Sequence, residues 1–491
     1  MVSNSGCRQR KAAATAIDAR CKRNRERQVS WPSDLRRRMR RMRRRDFLVG
    51  GIAASSLLAC EPKALGFQES TQSEDRLTHE IGNLAGYSLE QLREQLRKDL
   101  FDDFLPFMDK YVIDHQYGGF MCDTGFDGTP GDDKKSDWFE GRGIWVYSFL
   151  YKHLAPEPKH LEVARRSLAF ILKNEPADGS LWAKQFTRDG KPLTGPDSEI
   201  YGDLFIAEGV TAYADATGES SHLAHAKRLL EKCLGIYDQP EYYPSIGRTY
   251  LGLDAPLFPG ARIQGAWMVL LRLATQMLAQ RPDSEIEGVA HRCVEAVIRD
   301  HYNPEFGLNN ELLNHDLSRP RNLYAQLVYP GHTVEISWML LEEAVRRKDK
   351  LLFQTAAERF RRHFQVAKDS VYGGIFHNLK DVDQNLFTMG KVLWAQEEVL
   401  TAALLVIEHT GAQWAKNLFD EMYPYVRSKY PLTAHGSPLW MYQSDRKVTF
   451  EEFAKLPKRV ENYHHPRHLM LSLLAVERMI RRGGRISNVF T

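Results

Sequence analysis

The sequence predicts an all-α protein built from six helix pairs. Three observations carry that expectation. From about residue 88 onward, apolar residues recur at helical spacing and strand-like alternation is scarce. Short and long connections alternate along the chain. The short ones are tight: Ala155-Pro156-Glu157-Pro158, Thr217-Gly218-Glu219, Arg281-Pro282-Asp283, Lys348-Asp349 and Thr410-Gly411. The long ones set glycine among aromatic and apolar residues: Tyr117-Gly118-Gly119-Phe120, Phe306-Gly307-Leu308 and Tyr372-Gly373-Gly374-Ile375-Phe376. Such alternation marks a helix-pair repeat of roughly 60 residues.

The spacing predicts helices over 88–111, 137–154, 158–174, 199–217, 221–237, 262–280, 283–302, 333–347, 350–367, 390–410, 412–429 and 463–482. Pair-initial helices start near Asp137, Glu199, Arg262, His332, Gly390 and Tyr463. Six pairs either stack as an open solenoid or close into a toroid. In a toroid the pair-initial helices line the inside with their N-termini at one mouth. Arg142, Glu199, Gln264, His332, Lys391 and His464 would then stand around one rim. A chain of 491 residues, 43% hydrophobic, can bury a core of that size.

The net charge of +4 conceals a division. Residues 1–45 hold 16 Lys/Arg against Asp18, Glu26 and Asp34, a local +13 that leaves −9 on the remainder. The folded part is acidic, which argues against a nucleic-acid partner. The six cysteines form no CxxC, and no HExxH occurs, so no metal motif is present. Arg44-Arg45-Asp46-Phe47-Leu48 precedes an apolar run from Val49 to Ala59, too short for an ordinary membrane-spanning helix. Twin arginines before such a run resemble an export signal. Leu57-Leu58-Ala59-Cys60 resembles a lipobox, in which Cys60 would carry a lipid anchor. The expectation is an exported protein, periplasmic or membrane-anchored. Residues 1–60 are read as this N-region, 61–86 as a flexible tether, 87–484 as the helical domain and 485–491 as a tail.

Two turns put histidine at a helix mouth: Pro330-Gly331-His332, with Glu335 one turn on, and Tyr463-His464-His465-Pro466-Arg467-His468. A helix N-terminus helps to keep an imidazole neutral and able to accept a proton. Glu335 shares a helix face with His332 and is read as its orienting partner. His464 shares a face with Arg467, whereas His465 points about 100° away, so His464 is favoured. Arg142 offers a planar fork for two substrate oxygens. Lys391, Trp394 and Glu398 lie on one face, and Trp394 suits stacking on a sugar ring. Glu199 and Gln264 complete the set of substrate-binding candidates. Each of these residues also has a plainer reading as a core or salt-bridging side chain.

Together these motifs resemble the N-acylglucosamine 2-epimerase family over most of residues 90–480. The resemblance rests on Tyr117-Gly118-Gly119-Phe120, Gly141-Arg142 with Trp145 and Tyr147, and Thr187-Arg188-Asp189-Gly190. It continues through Ser198-Glu199, Pro330-Gly331-His332 with Glu335 and Trp338, Lys391 with Trp394 and Glu398, and His464-His465-Pro466-Arg467. It implies an (α/α)6 barrel with short β-hairpin loops at one mouth. The implied reaction is sugar epimerisation at C2 with no redox cofactor and no catalytic metal. His332 and His464 would be its acid/base pair, supported by Glu335 and Arg142. Cellobiose-epimerising relatives carry a further histidine where this chain has Met268, which argues against cellobiose. The substrate is expected to be a small free sugar, and a homodimer is compatible with the resemblance. The alternatives are an aldose–ketose isomerase, a glycoside hydrolase or lyase, and a surface-anchored sugar-binding protein.

Overall fold

The computed structural model describes residues 80–490. The basic N-region, the export signal, Cys60 and residues 61–79 of the tether lie outside the described residues. Among those described, twelve principal helices form the protein. Helix α1 starts as Leu89–Arg97 and runs on through Lys98–Phe104, Leu105–Phe107 and Met108–Val112. Then come α2 (Asp137–His153), α3 (Pro158–Leu172), α4 (Tyr201–Thr217), α5 (Ser220–Tyr237) and α6 (Gln264–Gln280). Helix α7 is Ser284–Glu295, prolonged by Ala296–Asp300. The last five are α8 (Pro330–Arg347), α9 (Lys350–Ala367), α10 (Leu393–Thr410), α11 (Gln413–Lys429) and α12 (His464–Arg481).

The ring closes. Helices α2, α4, α6, α8, α10 and α12 each pack on the next, and α12 packs on α2. Each has an outer partner: α3, α5, α7, α9 and α11 follow their inner helices in sequence, but α12 is backed by α1. The fold is an (α/α)6 barrel, and the open solenoid is excluded. The inner helices are buried nearly all round; in α4 every residue from Tyr201 to Ala214 is buried. The outer helices keep the polar outer face of an ordinary surface helix. Close approach between inner helices needs small residues. A side chain at Gly141 of α2 would lie 2.3 Å from the Phe205 backbone of α4.

Three inner helices are anchored at the mouth in the same way. A short strand runs into α2, α6 and α10: Lys134–Ser136, Arg262–Ile263 and Lys391–Val392. Each pairs antiparallel with a strand in the next long connection: Gln185–Thr187, Leu312–Leu313 and Gln443–Ser444. The helices predicted from 262 and 390 therefore begin at Gln264 and Leu393, because strand pairing captures the residues before them. Near the mouth of α2, Lys135 Nζ donates to Asp114 Oδ2 (3.0 Å), to Gly118 O (2.5 Å) and to Arg188 O (2.8 Å). Lys391 repeats the device on Asp369 (2.9 Å) and the Gly373 carbonyl. Asp114 also receives Arg188, and Asp369 receives Arg446. These cations hold both carboxyls far below the usual range despite burial.

Residues 80–86, assigned to the tether from sequence, are packed. Ile81 and Leu84 are buried, and Asn83–Leu84 pairs with Tyr87–Ser88. The tail is also seated: Ser487 N donates to Glu408 O, and Phe490 packs on Phe353.

Lys135→Met should lower unfolding stability by about 3 kcal/mol, since it breaks a buried ion pair. Lys134→Met, which removes an exposed partner of Asp132, should leave it essentially unchanged, because solvent screens an exposed pair. Urea unfolding of both variants checks this; equal losses would contradict the buried-pin reading.

Candidate active site

The N-termini of the inner helices face one mouth, where the two predicted imidazoles meet a common neighbour. Helix α8 starts at Pro330 itself, whose missing N–H costs nothing at the first helical position. His332 is thus already in the first turn. Gly331 leaves room for an indole: a side chain there would sit 2.8 Å from the Trp394 ring. The Trp394 ring centroid lies 6.0 Å from that of His332 and 5.2 Å from that of His464. Those two separations cap the distance between the imidazole centroids at 11.2 Å. Residues 132 positions apart therefore share one cavity.

His332 Nδ1 lies 2.7 Å from Glu311 Oε1, to which it donates. Glu311 is fully buried and sits just before strand Leu312–Leu313, where its carbonyl accepts from Gln264 N. Burial raises the Glu311 carboxyl, and His332 opposes that rise. Tyr329, Tyr250 and Trp394 surround the ring. With Nδ1 committed, Nε2 is the nitrogen left with a lone pair to take a proton.

His464 opens α12. Its Nδ1 lies 3.1 Å from Glu398 Oε1 and 3.0 Å from Arg467 Nη2. Arg467 Nη2 in turn donates to Glu335 Oε1 (2.5 Å) and to Glu398 Oε1 (2.6 Å). Trp338 Nε1 donates to Glu398 Oε2 at 2.5 Å. Burial holds the His464 imidazolium down at about 3, so the ring is neutral near pH 7. Glu335, Glu398 and His464 offer three ligand atoms within 4.8 Å of one another, a spacing that would suit a cation. The Arg467 guanidinium already stands among them and supplies that positive charge.

Arg142, in the second turn of α2, is 8% exposed and lies 4.1 Å over the Phe205 ring. Its nearest anion is Glu461, 3.9 Å away, and its Nε has no hydrogen-bond partner among the described residues. Burial lowers the Arg142 guanidinium. Burial would raise the Glu461 carboxyl, but Arg459 and Arg142 help to bring it down to about 2. A buried guanidinium whose Nε has no partner among the described residues is suited to donating to an oxygen of a ligand.

The geometry redistributes several roles read from sequence. Glu335 does not reach His332; it grips Arg467 and lies 3.9 Å from His464 Nδ1. Glu398 orients His464, and its remaining oxygen is taken by Trp338. Gln264 is fully buried and spans Thr333 Oγ1 (2.9 Å) and Asn309 Nδ2 (2.7 Å), so it ties α6 to α8. Lys391 is spent on Asp369 and the Gly373 turn. Glu199 is buried before α4 and accepts from Ser245 Oγ. Glu311 and Glu461 were not singled out in the sequence. Each lies in a long connection, where no periodicity ties it to its histidine. The only local cue for Glu311 is the polar triplet Asn309-Asn310-Glu311 before an apolar pair.

Over residues 118–466 the chain matches the N-acylglucosamine 2-epimerase (GlcNAc 2-epimerase) family. It is 26% identical to N-acylglucosamine 2-epimerase of Homo sapiens over 383 residues, 74% of this chain and 85% of that one. It is 22% identical to cellobiose 2-epimerase of Bacteroides fragilis over 408 residues, 77% of this chain and 97% of that one. The solved cellobiose 2-epimerase of Spirochaeta thermophila superposes with a TM-score of 0.67 at 17% identity, covering 80% of this chain and 98% of that one. A D-mannose isomerase does so with a TM-score of 0.63 at 16% identity, covering 80% and 97%. Both structures share the barrel.

Glu311→Ala should turn His332 from one tautomer, protonated at Nδ1, into a mixture. Nitrogen-15 NMR of the ring reads this directly, and an unchanged spectrum would remove Glu311 from the site. His464→Asn should gain stability relative to the parent as pH falls from about 6.5 toward 4. The unfolded parent binds a proton in that window that its native His464 does not. Urea midpoints at several pH values test the sign.

Proposed function

The chain belongs to the N-acylglucosamine 2-epimerase family, and from that premise we propose that it epimerises a free aldose, plain or N-acylated, at C2. The observation that carries the proposal is the pair of imidazoles, His332 and His464, which share Trp394 as a neighbour, their ring centroids 6.0 Å and 5.2 Å from its own. Each has its Nδ1 held by a carboxylate, which leaves each Nε2 for proton transfer.

In this mechanism the open-chain aldehyde sits with C2 between the two Nε2 atoms. One imidazole takes the C2 proton, the C–H electron pair becomes the C1–C2 double bond, and the aldehyde oxygen becomes an enediolate oxyanion. Arg142 faces that charge and stabilises it electrostatically. The other imidazole enters the step as the imidazolium; it returns its proton to C2 from the opposite face, the C1–C2 π pair forms the new C–H bond, and the ring is left neutral. Each imidazole contributes about 10²–10⁴ in rate. The proton passes between protein and sugar only, so the scheme needs no redox cofactor. Hydrolysis would want two available carboxylates flanking one bond. The central candidates, Glu335 and Glu398, are both engaged by Arg467, which favours proton transfer over hydrolysis.

Incubation with N-acetylglucosamine, mannose, glucose and cellobiose in D₂O should deuterate C2 of at least one sugar and yield its epimer, seen by proton NMR. His332→Ala and His464→Ala should each slow exchange by at least about 10²-fold with unchanged helical circular dichroism. A ketose product would mean that the proton returns to C1. Sugar binding without any exchange would replace the catalytic reading with a binding one.

A further inference from the structure

A crevice opens beside His464, between the first turns of α10 and α12, and the proton-transfer scheme makes no use of it. Trp394 and Tyr442 line it with flat rings, and Glu397, His465 and Glu461 line it with polar groups. The polar groups are built in. His465, 5% exposed, has its Nδ1 2.5 Å from Glu397 Oε1, and its ring is fixed between Trp440 (4.8 Å) and Phe104 (5.5 Å). Its Nε2 is the nitrogen left over. Glu397 is fully buried, and its Oε2 has no hydrogen-bond partner among the described residues. The same holds for Glu461 Oε1, whose other oxygen accepts from Arg459 Nη2 at 2.9 Å.

We infer that this crevice is a subsite for the hydroxyl-bearing carbons of a neutral sugar, remote from the carbon that exchanges its proton. The identity of the ligand rests on the sugar-epimerising reading above. Two buried carboxylate oxygens without donors call for O–H groups, because a buried acceptor is costly when unmet. A polyol chain offers several donors; an acyl amide offers one N–H. The aromatic walls suit the C–H faces of the same chain. Arg459 also lines the crevice, but its charge is met by Glu461, and Glu397 leaves the lining net negative; a phosphate or carboxylate at the distal end is therefore disfavoured, so the subsite selects against anionic sugars as well as for neutral ones.

Polyols, which bind without reacting, test this on the full chain by calorimetry. The parent should bind glucitol at least about tenfold more tightly than erythritol, which lacks the distal carbons. Glu397→Gln and Tyr442→Ala should each shrink that advantage to less than about threefold. Two variants from different elements keep the test readable if one fails to fold. Glucitol 6-phosphate should bind more weakly than glucitol. Equal binding of the two polyols by the parent, an advantage preserved in both variants, or tighter binding of the phosphate would each overturn the inference. Absence of C2 exchange with every sugar would sink the catalytic scheme alone, since polyol binding does not depend on it.

Discussion

One buried guanidinium holds the centre of this barrel. Arg467 belongs to α12, Glu335 to α8 and Glu398 to α10, so a single side chain cross-links three of the six inner helices at one level. All three groups are out of water, and each is tolerable only because the others are present. The same contacts fix the imidazole that opens α12. Glu398 cannot shift without releasing Trp338, Arg467 and His464 together. Chemistry at the mouth and cohesion of the ring thus draw on one set of bonds. A site built on such elements is positioned more tightly than one carried by loops.

Around this centre the rim repeats one device. The first residue of α2, α6 and α10 donates its N–H to the carbonyl just before the partner strand: Asp137 to Lys184, Gln264 to Glu311 and Leu393 to Tyr442. Two of the three mouths add a lysine pin on a Gly-Gly turn, with an arginine closing the same carboxylate. The third carries Arg262, which donates to the carbonyls of Gly260 and Gln239. Long connections that would otherwise wander are thereby fixed at their bases. Glu311 is one result: it faces His332 because its own backbone is clamped to the start of α6.

Much of this was legible in the chain itself. The twelve helices, their pairing and the inward place of the pair-initial ones follow from periodicity and loop length. So does the meeting of His332 with His464 once the ring closes, because both open inner helices. Other features depend on distance in sequence. Glu335 lies one helical turn from His332, and local spacing made them partners. The partner that orients His332, Glu311, comes from a different connection, and Glu335 is drawn to Arg467 instead. Lys391 and Gln264 stand where a rim residue should, yet buried backbone carbonyls and amides claim their polar atoms first. The strands before α6 and α10 are two residues long, too short for an alternating pattern to register.

The pairing of α12 with α1 orders events during synthesis. Five of the six outer helices emerge immediately after the inner helix they cover, so each of those hairpins can form as it appears. Helix α1 emerges first and waits for a partner made last. Until α12 arrives, α1 exposes Leu92, Leu96 and Leu100, which are buried in the finished barrel. The growing chain must shield that apolar stripe through the making of more than three hundred residues, and His464 enters the cavity only at the final step.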